Sequence, residues 1–217
     1  MSKKANSRKN GELGQIPLCI TSLAVSGYKS LAREQAIEIR PLTILAGANS
    51  SGKSSIMQPS LLLKQTLESS YDPGPLLLNG PHVNFTSIEQ ILTRLTNRQR
   101  SGNLRVGIET SRGGFAAVYG KSRGKGFDVS ETTYLLDGEK VTLHQKMPQG
   151  EILAAFPETY SKSLRQVLFP SNGNGHSELI VERDRCFLFL SIQGNLNVRG
   201  LEQLGVPDDA KVTSIVF

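Results

Sequence analysis

Tryptophan is absent from the sequence, and cysteine occurs only twice, at Cys19 and Cys186. The two cysteines lie far apart and outside any C-x-x-C pattern, so neither a disulfide framework nor a cysteine-based zinc site is indicated. The three histidines are equally scattered and lack the spacing of metal ligands; they are His82, His144 and His176. The lack of paired cysteines and of suitably spaced histidines excludes small proteins that are held together by disulfides or by a zinc ion.

Long hydrophobic runs are also missing. No apolar stretch approaches the roughly 20 residues that a membrane-spanning helix needs. The first ten residues, MSKKANSRKN, are basic, but no apolar segment follows them as it would in a secretory signal. We therefore expect a cytoplasmic protein without a membrane partner, in which residues 1–15 form a basic, flexible tail.

Acidic residues are scarce in one part of the chain. Between residues 94 and 125 the only acid is Glu109, and it is accompanied by eight cations: Arg94, Arg98, Arg100, Arg105, Arg112, Lys121, Arg123 and Lys125. Such a stretch can attract the phosphates of a nucleic acid. The alternative is a solvated strand face with its loops, and the few interleaved aromatic residues give little support for stacking on bases. Nucleic acid stays open as a partner.

The first half of the sequence alternates strand and helix patterns. LCITSLAVSG predicts a strand that ends at Gly27, and QAIEI predicts a second strand. After a break at Pro41, the apolar residues 42–46 predict a third. From residue 52 to about 68 apolar residues recur at helical spacing, with Pro59 either kinking the helix or lying near its first turn. SIEQILTRL predicts another helix face.

The second half is dominated by hairpin patterns. NLRVGIET alternates apolar and polar residues, and FAAVYG can be its partner strand across the intervening SRGG. TTYLLDGEKVTLH turns at Asp137-Gly138, a strong hairpin signal. ELIVERDRCFLFLSI predicts a further hairpin that turns near Arg183-Asp184. SKSLRQVLF predicts a short helix between them.

A glycine-bounded loop joins the third predicted strand to the helix that follows. Its sequence, GANSSGKS, fits the pattern G-x-x-x-x-G-K-[ST] without a mismatch. Glycines let successive N–H groups point at phosphate oxygens, and the helix N-terminus adds partial positive charge. We expect Lys53 to reach the β- and γ-phosphates and the Ser54 hydroxyl to ligate Mg²⁺. The predicted binding residues are Gly47, Ala48, Asn49, Ser50, Ser51, Gly52, Lys53, Ser54 and Ser55.

The residues around this loop resemble a known family. Gly27-Tyr28-Lys29-Ser30, the loop of the form G-x-N-x-S-G-K-S-S and the phrase LLLNGPHVNFTSIEQIL are similar to the opening of the ATPase domain in SMC/RecF-like, ABC-type ATPases. That branch includes the stand-alone AAA family ATPases of bacteria and the ATPase half of overcoming-lysogenisation-defect-type nucleases. The likeness is specific over residues 16 to about 95.

The resemblance implies a set of ligands and partners. It implies ATP and Mg²⁺ as cofactors, and a link to DNA processing or phage defence. It places Lys29 and Ser30 on an early basic motif, and it makes Gln90 a candidate for the glutamine that senses the metal and γ-phosphate. Two heads of this family sandwich ATP, which implies a homo- or hetero-oligomer.

The family also uses an apolar strand that ends in Asp-Glu, and this sequence offers no match to it. Asp137 belongs to a hairpin turn, and Glu182 lies in a charged turn with the wrong spacing. The catalytic carboxylate is therefore unassigned. The expected chain is an ATP-binding lobe that lacks the C-terminal catalytic lobe, with little activity of its own unless missing sequence or a partner completes the site.

These observations lead to one expected fold and three hypotheses on function. The fold class is α/β with α+β character: a P-loop NTPase core of ABC-ATPase type (residues 16–100) and an antiparallel β-rich, incomplete subdomain (residues 101–217). The first hypothesis is an ATP-binding lobe of an SMC/RecF-like ATPase. The alternatives are a small P-loop kinase or phosphotransferase, with the basic stretch as its lid, and a non-catalytic remnant or interaction module.

Overall fold

The computed structural model describes residues 18–49, 51–95, 101–124, 126–136, 138–169 and 177–194. Eight strands and three helices lie within these ranges: β1 Ile20–Ser26, β2 Gln35–Glu38, α1 Lys53–Leu67, β3 Asn103–Thr110, β4 Gly113–Lys121, β5 Phe127–Leu136, β6 Glu139–His144, α2 Gln149–Ala155, α3 Glu158–Leu168, β7 Ser177–Asp184 and β8 Phe187–Gly194. None of these helices combines the length and apolar character that crossing a membrane demands.

The strands form two antiparallel sheets, which makes the described fold α+β. The larger sheet has the order β2-β1-β3-β4-β5-β6, and β7 and β8 pair with each other. β1 pairs directly with β3, so this sheet contains strands from both sides of residue 100. The proposed division into two domains at that residue stays a prediction.

One face of the large sheet forms the core. Residues that face each other across neighbouring strands are buried together, because alternate side chains of a strand point to the same side. One such cross-strand row contains Val25, Val106, Ala117, Thr132 and Leu143. The strand predicted at NLRVGIET is therefore confirmed. Leu104 and Val106 are buried as predicted, whereas Gly107 is buried too and Ile108 is half-buried.

The β7–β8 hairpin packs on this buried face through specific polar contacts. The Tyr134 hydroxyl donates to the Leu188 carbonyl at 2.6 Å, and the Leu188 N–H donates to the Thr132 hydroxyl at 2.9 Å. The Tyr119 hydroxyl donates to the Cys186 carbonyl at 2.9 Å. These bonds satisfy polar groups that burial would otherwise leave unpaired.

The predicted strand at Leu42–Ala46 is wrong. The segment has no strand assignment, and Leu42 and Ile44 are 78% and 77% exposed. Apolar residues favour an extended buried segment, but a strand forms only against a neighbour. No element among the described residues pairs with this segment, which instead turns locally as the Arg40 N–H donates to the Thr43 hydroxyl at 2.9 Å.

Two other predicted elements differ in extent. SIEQILTRL forms only a short 3₁₀ turn, Ile88–Gln90, because the chain beyond it pairs with the turn after β1. There the Thr93 N–H donates to the Gly27 carbonyl at 3.0 Å, and Leu92 bridges to Tyr28. Tertiary pairing thus overrides the helical pattern. The last hairpin turns between Asp184 and Phe187, slightly later than predicted.

Helix α1 carries Pro59 in its interior and fixes the loop that follows it through one buried side chain. The Gln65 amide nitrogen donates to the carbonyls of Leu77 and Val83, at 2.5 and 3.2 Å. Its oxygen accepts from the N–H groups of His82 and Val83, at 3.2 and 3.0 Å. A Cβ at Gly80 would lie 2.6 Å from this amide, so a larger residue there would displace the amide from its hydrogen bonds.

The Gln65 contacts predict a large loss of stability in Gln65→Leu. Leucine is similar in size but removes all four hydrogen bonds in a mostly buried position, although the Val83 carbonyl still accepts from the Gly80 N–H at 3.1 Å. Each such loss costs about 1 kcal/mol or more, so we expect the free energy of unfolding to fall by about 3–5 kcal/mol in urea titration. Gln193→Leu, at an exposed residue of β8, is the control and should change it by less than about 1 kcal/mol. Equal effects of the two variants would contradict this role.

The buried thiol of Cys186 predicts a loss of stability at alkaline pH. Burial raises its pKa from 9.0 to about 12, so the folded chain keeps a proton that the unfolded chain releases. The stabilisation is complete below pH 9 and declines as the pH rises toward 12. We expect Cys186→Ala to reduce this fall most clearly between pH 9 and 10, because above pH 10 the tyrosines Tyr119 and Tyr134, whose pKa burial also raises, add to it. Urea titrations of the unmodified chain and of this variant at a series of pH values measure the difference.

Candidate functional site

The loop before α1 has the backbone conformation that its glycines permit. Gly47 and Gly52 have φ angles of +154° and +95°, in the region that disfavours side chains. The Ser51 N–H donates to the Ala48 carbonyl at 3.3 Å, which closes a turn inside the loop. A Cβ on Gly47 would lie 2.8 Å from the Ser51 hydroxyl. The two fixed glycines of the motif therefore stand where backbone geometry requires them.

The Lys53 side chain forms two hydrogen bonds with the backbone of this loop. Its ammonium donates to the carbonyls of Gly47 and Ala48, both at 2.7 Å. The side chain begins at the first residue of α1 and returns across the loop, so the cation lies beside the loop backbone. A lysine in this position can exchange these carbonyls for the oxygens of a bound anion, because three N–H donors are available.

The N-terminus of α1 faces solvent and carries no negative charge of its own. The first turn contains no acidic residue, and the cap residue Gly52 offers no side-chain hydrogen bond. The first N–H groups of a helix have no partner within the helix, which makes this end attractive to anions. Ser54 is exposed and its hydroxyl is accessible, whereas Ser55 is buried. Ser50 lies outside the described residues.

The structure places the early basic motif next to this loop. A Cβ on Gly52 would lie 3.3 Å from the Ser30 hydroxyl and 3.5 Å from the Leu31 side chain. The Lys29 ammonium donates to the Gln58 amide oxygen on α1 at 2.7 Å, and the Tyr28 hydroxyl donates to the same atom at 2.8 Å. Residues about twenty positions before the loop thus pack against its end and against the following helix.

Lys29 is held in a partly desolvated environment. Its backbone has a positive φ of 47°, and its ammonium lies 4.9 Å from the centre of the Phe85 ring and 5.3 Å from that of Tyr28. Burial lowers the pKa of Lys29. Cation–π contact and the Gln58 amide compensate part of the lost hydration. Sequence reasoning missed Gln58 and Phe85, because a lone glutamine or phenylalanine carries no signal without its partner.

The other sequence candidates do not join this cluster. The Gln90 amide exchanges hydrogen bonds with Thr86, at 3.0 and 3.1 Å, and so closes a local turn. Glu182 accepts from the Gln193 amide at 3.2 Å on the paired strand. Asp137 and His176 lie outside the described residues.

The position of Glu182 follows from the contact between its hairpin and α1. The turn after β7 reaches the C-terminal end of α1, where the Arg185 guanidinium donates to the Leu67 carbonyl. Arg183 pairs there with Asp72 at 2.8 Å. The loop lies at the other end of this 15-residue helix, about 20 Å away. Glu182 is therefore not brought to the loop.

The basic stretch is partly neutralised within the chain. Arg105 lies 2.9 Å from Glu34 and 4.0 Å from Glu131, and Lys121 lies 3.4 Å from Glu89. Arg94 and Arg123 are exposed. Arg112 is exposed as well. The other three predicted cations, Arg98, Arg100 and Lys125, lie outside the described residues. Contact with nucleic acid stays a prediction.

The sequence was compared with known proteins. No protein-family model matches it, and a search of the curated proteins likewise returns no match. The residues of the loop and their surroundings are therefore the basis for assigning a function.

Proposed function

We propose that this chain binds ATP with Mg²⁺ at the loop of residues 47–55, and that it is the N-terminal part of an SMC/RecF-like ATPase with a P-loop NTPase core. In this proposal the loop N–H groups and the N-terminus of α1 hold the phosphates. Lys53 contacts the β- and γ-phosphates, and the Ser54 hydroxyl ligates Mg²⁺. Missing sequence or a partner chain supplies the rest of the hydrolytic site.

The position of Lys53 is the observation that carries the proposal. Its ammonium lies 2.7 Å from two loop carbonyls at the uncapped N-terminus of α1. This concentrates a cation and unpaired N–H groups at one exposed point, which is the requirement for binding a polyphosphate. The loop carbonyls already hold the Lys53 ammonium in place, so a bound phosphate would replace these carbonyls as its hydrogen-bond acceptors.

The exposed segment before the loop supports completion by another element. Leu42 and Ile44 are apolar but remain exposed, at 78% and 77%. An added strand beside this segment would cover both side chains and pair their backbone groups. Because no carboxylate among the described residues reaches the loop, the chain by itself should turn over ATP very slowly.

The kinase alternative has less support. It needs an arginine-bearing lid, but Arg105 and Lys121 belong to strands of the large sheet and already face acidic partners. The interaction-module alternative predicts that nucleotide leaves the stability of the chain unchanged. Measuring the stability of the chain with and without nucleotide therefore distinguishes the interaction-module alternative from the proposal.

The test is the thermal unfolding midpoint of the chain with and without magnesium and ATP. At a hundredfold excess of ligand over its dissociation constant, we expect the midpoint to rise by roughly 5–10 °C, with negligible phosphate release. An unchanged midpoint at millimolar ATP would contradict the proposal. Rapid phosphate release would contradict the part that assigns completion to another element.

Ser54→Ala separates the metal contribution from the phosphate contribution. Loss of the hydroxyl should remove most of the extra stabilisation that Mg²⁺ adds to ATP, while binding of ATP without metal should change little. Ser60→Ala is the matched control, since its hydroxyl donates to the Met57 carbonyl within the same helix. Equal dependence on Mg²⁺ in both variants would show that Ser54 is not a ligand.

A further inference from the structure

A cavity of about 200 Å³ lies between the large sheet, the β7–β8 hairpin and α3. Its floor consists of four aliphatic side chains, Val141, Leu143, Leu164 and Leu190, each exposed by 2% or less. Protein interiors are packed so closely that voids much larger than one water molecule are uncommon. A space of this size above buried aliphatic residues is therefore unusual, and it is large enough to hold a small molecule.

The mouth of the cavity is formed by partly exposed residues, so a small molecule can enter. Three of these residues are aromatic, Tyr134, Phe156 and Tyr160, and the fourth is Leu136. The aliphatic floor therefore lies behind a predominantly aromatic rim. Aromatic edges and faces favour contact with a flat ring through offset or edge-on geometry.

The chemistry of the lining selects an apolar occupant. Among the described residues, no charged side chain, amide or histidine lines the cavity, and the Tyr134 hydroxyl is committed to the Leu188 carbonyl at 2.6 Å. A polar or charged molecule would lose its hydration without replacement. Water is disfavoured for the same reason, because it needs two or more polar partners to stay in such a space.

We propose that this cavity is a binding site for an uncharged apolar molecule, with a single aromatic ring and a short alkyl substituent. An engineered aliphatic cavity of roughly 150 Å³ holds benzene, so the space here suits a ligand of about seven to ten carbon atoms. The site is separate from the loop at residues 47–55 and does not depend on nucleotide binding.

The test uses toluene as the probe with the full chain. We expect saturable changes in the methyl NMR signals of valine and leucine and a rise in the thermal unfolding midpoint. Leu164→Phe fills the floor and should weaken toluene binding at least tenfold. Leu67→Phe makes the same substitution at a half-exposed residue of α1 and should leave the affinity unchanged.

A second variant keeps the proposal testable if the phenylalanine disturbs α3. Leu136→Trp obstructs the mouth at a partly exposed residue and should weaken binding by a similar factor without entering the core. Absence of saturable binding to the unmodified chain would overturn the proposal, since it would mean that another part of the chain fills the space. Undiminished affinity in Leu136→Trp, or in a folded Leu164→Phe, would overturn it as well.

Discussion

Lys53→Ala is expected to lower the affinity for magnesium–ATP about a hundredfold while the chain stays folded. The ammonium is the one side-chain cation inside the loop, and it already lies 2.7 Å from the carbonyls of Gly47 and Ala48. Loss of charge-assisted hydrogen bonds to phosphate costs roughly 3 kcal/mol, which corresponds to this factor. Isothermal titration with a slowly hydrolysed ATP analogue measures it.

The matched control is Lys64→Ala on the same helix. Lys64 is exposed and pairs with Glu68 at 2.5 Å near the C-terminal end of α1, far from the loop. Its loss also changes the net charge by one, so it corrects for general electrostatic attraction. We expect no more than a twofold change in affinity for this variant. Equal losses in the two variants would mean that charge alone, and not the position of Lys53, determines binding.

The second large effect is expected for Gly27→Ala, which should lower the free energy of unfolding by about 4 kcal/mol or more. Gly27 has a φ of +75°, and an added Cβ would lie 2.0 Å from the Asn103 carbonyl oxygen. The obstacle is backbone at the start of β3, so relief requires moving a strand that pairs with β1. Strain at the positive φ adds about 1 kcal/mol.

Gly102→Ala tests whether the cost comes from this contact. Gly102 lies one residue before β3, and a Cβ there would have no neighbour within 4 Å. Urea titration should show a change of less than about 1 kcal/mol for this variant. If Gly27→Ala were equally mild, the turn that brings Lys29 and Ser30 to the loop would be far more adaptable than its packing indicates.

Local sequence signals predicted the elements whose cause is local. The β5–β6 hairpin follows from Asp137-Gly138, and Gly138 has the positive φ of +85° that such a turn requires. The backbone of the loop at residues 47–55 follows from its two glycines in the same way. Helix α1 was predicted over nearly its full length because its apolar spacing outweighs the single proline.

Elements whose formation depends on residues far away in the sequence could not be predicted from local patterns. Residues 42–46 have the composition of a strand, but strand formation depends on a neighbour that the local sequence does not specify. The 3₁₀ turn at Ile88–Gln90 is short because the following residues pair with the segment around Gly27. The Lys29–Gln58 contact joins residues 29 positions apart, and neither residue type indicates it alone.

Titrations of the unmodified chain with magnesium–ADP and with adenosine separate the contribution of the phosphates from that of the base and sugar. We expect the binding energy to come from the phosphates, through the loop N–H groups, the N-terminus of α1 and Lys53. Measurable binding of ADP and none of adenosine at the same concentration is therefore the expected result. Equal binding of both ligands, or binding of neither, would contradict the assignment of this loop as a phosphate site.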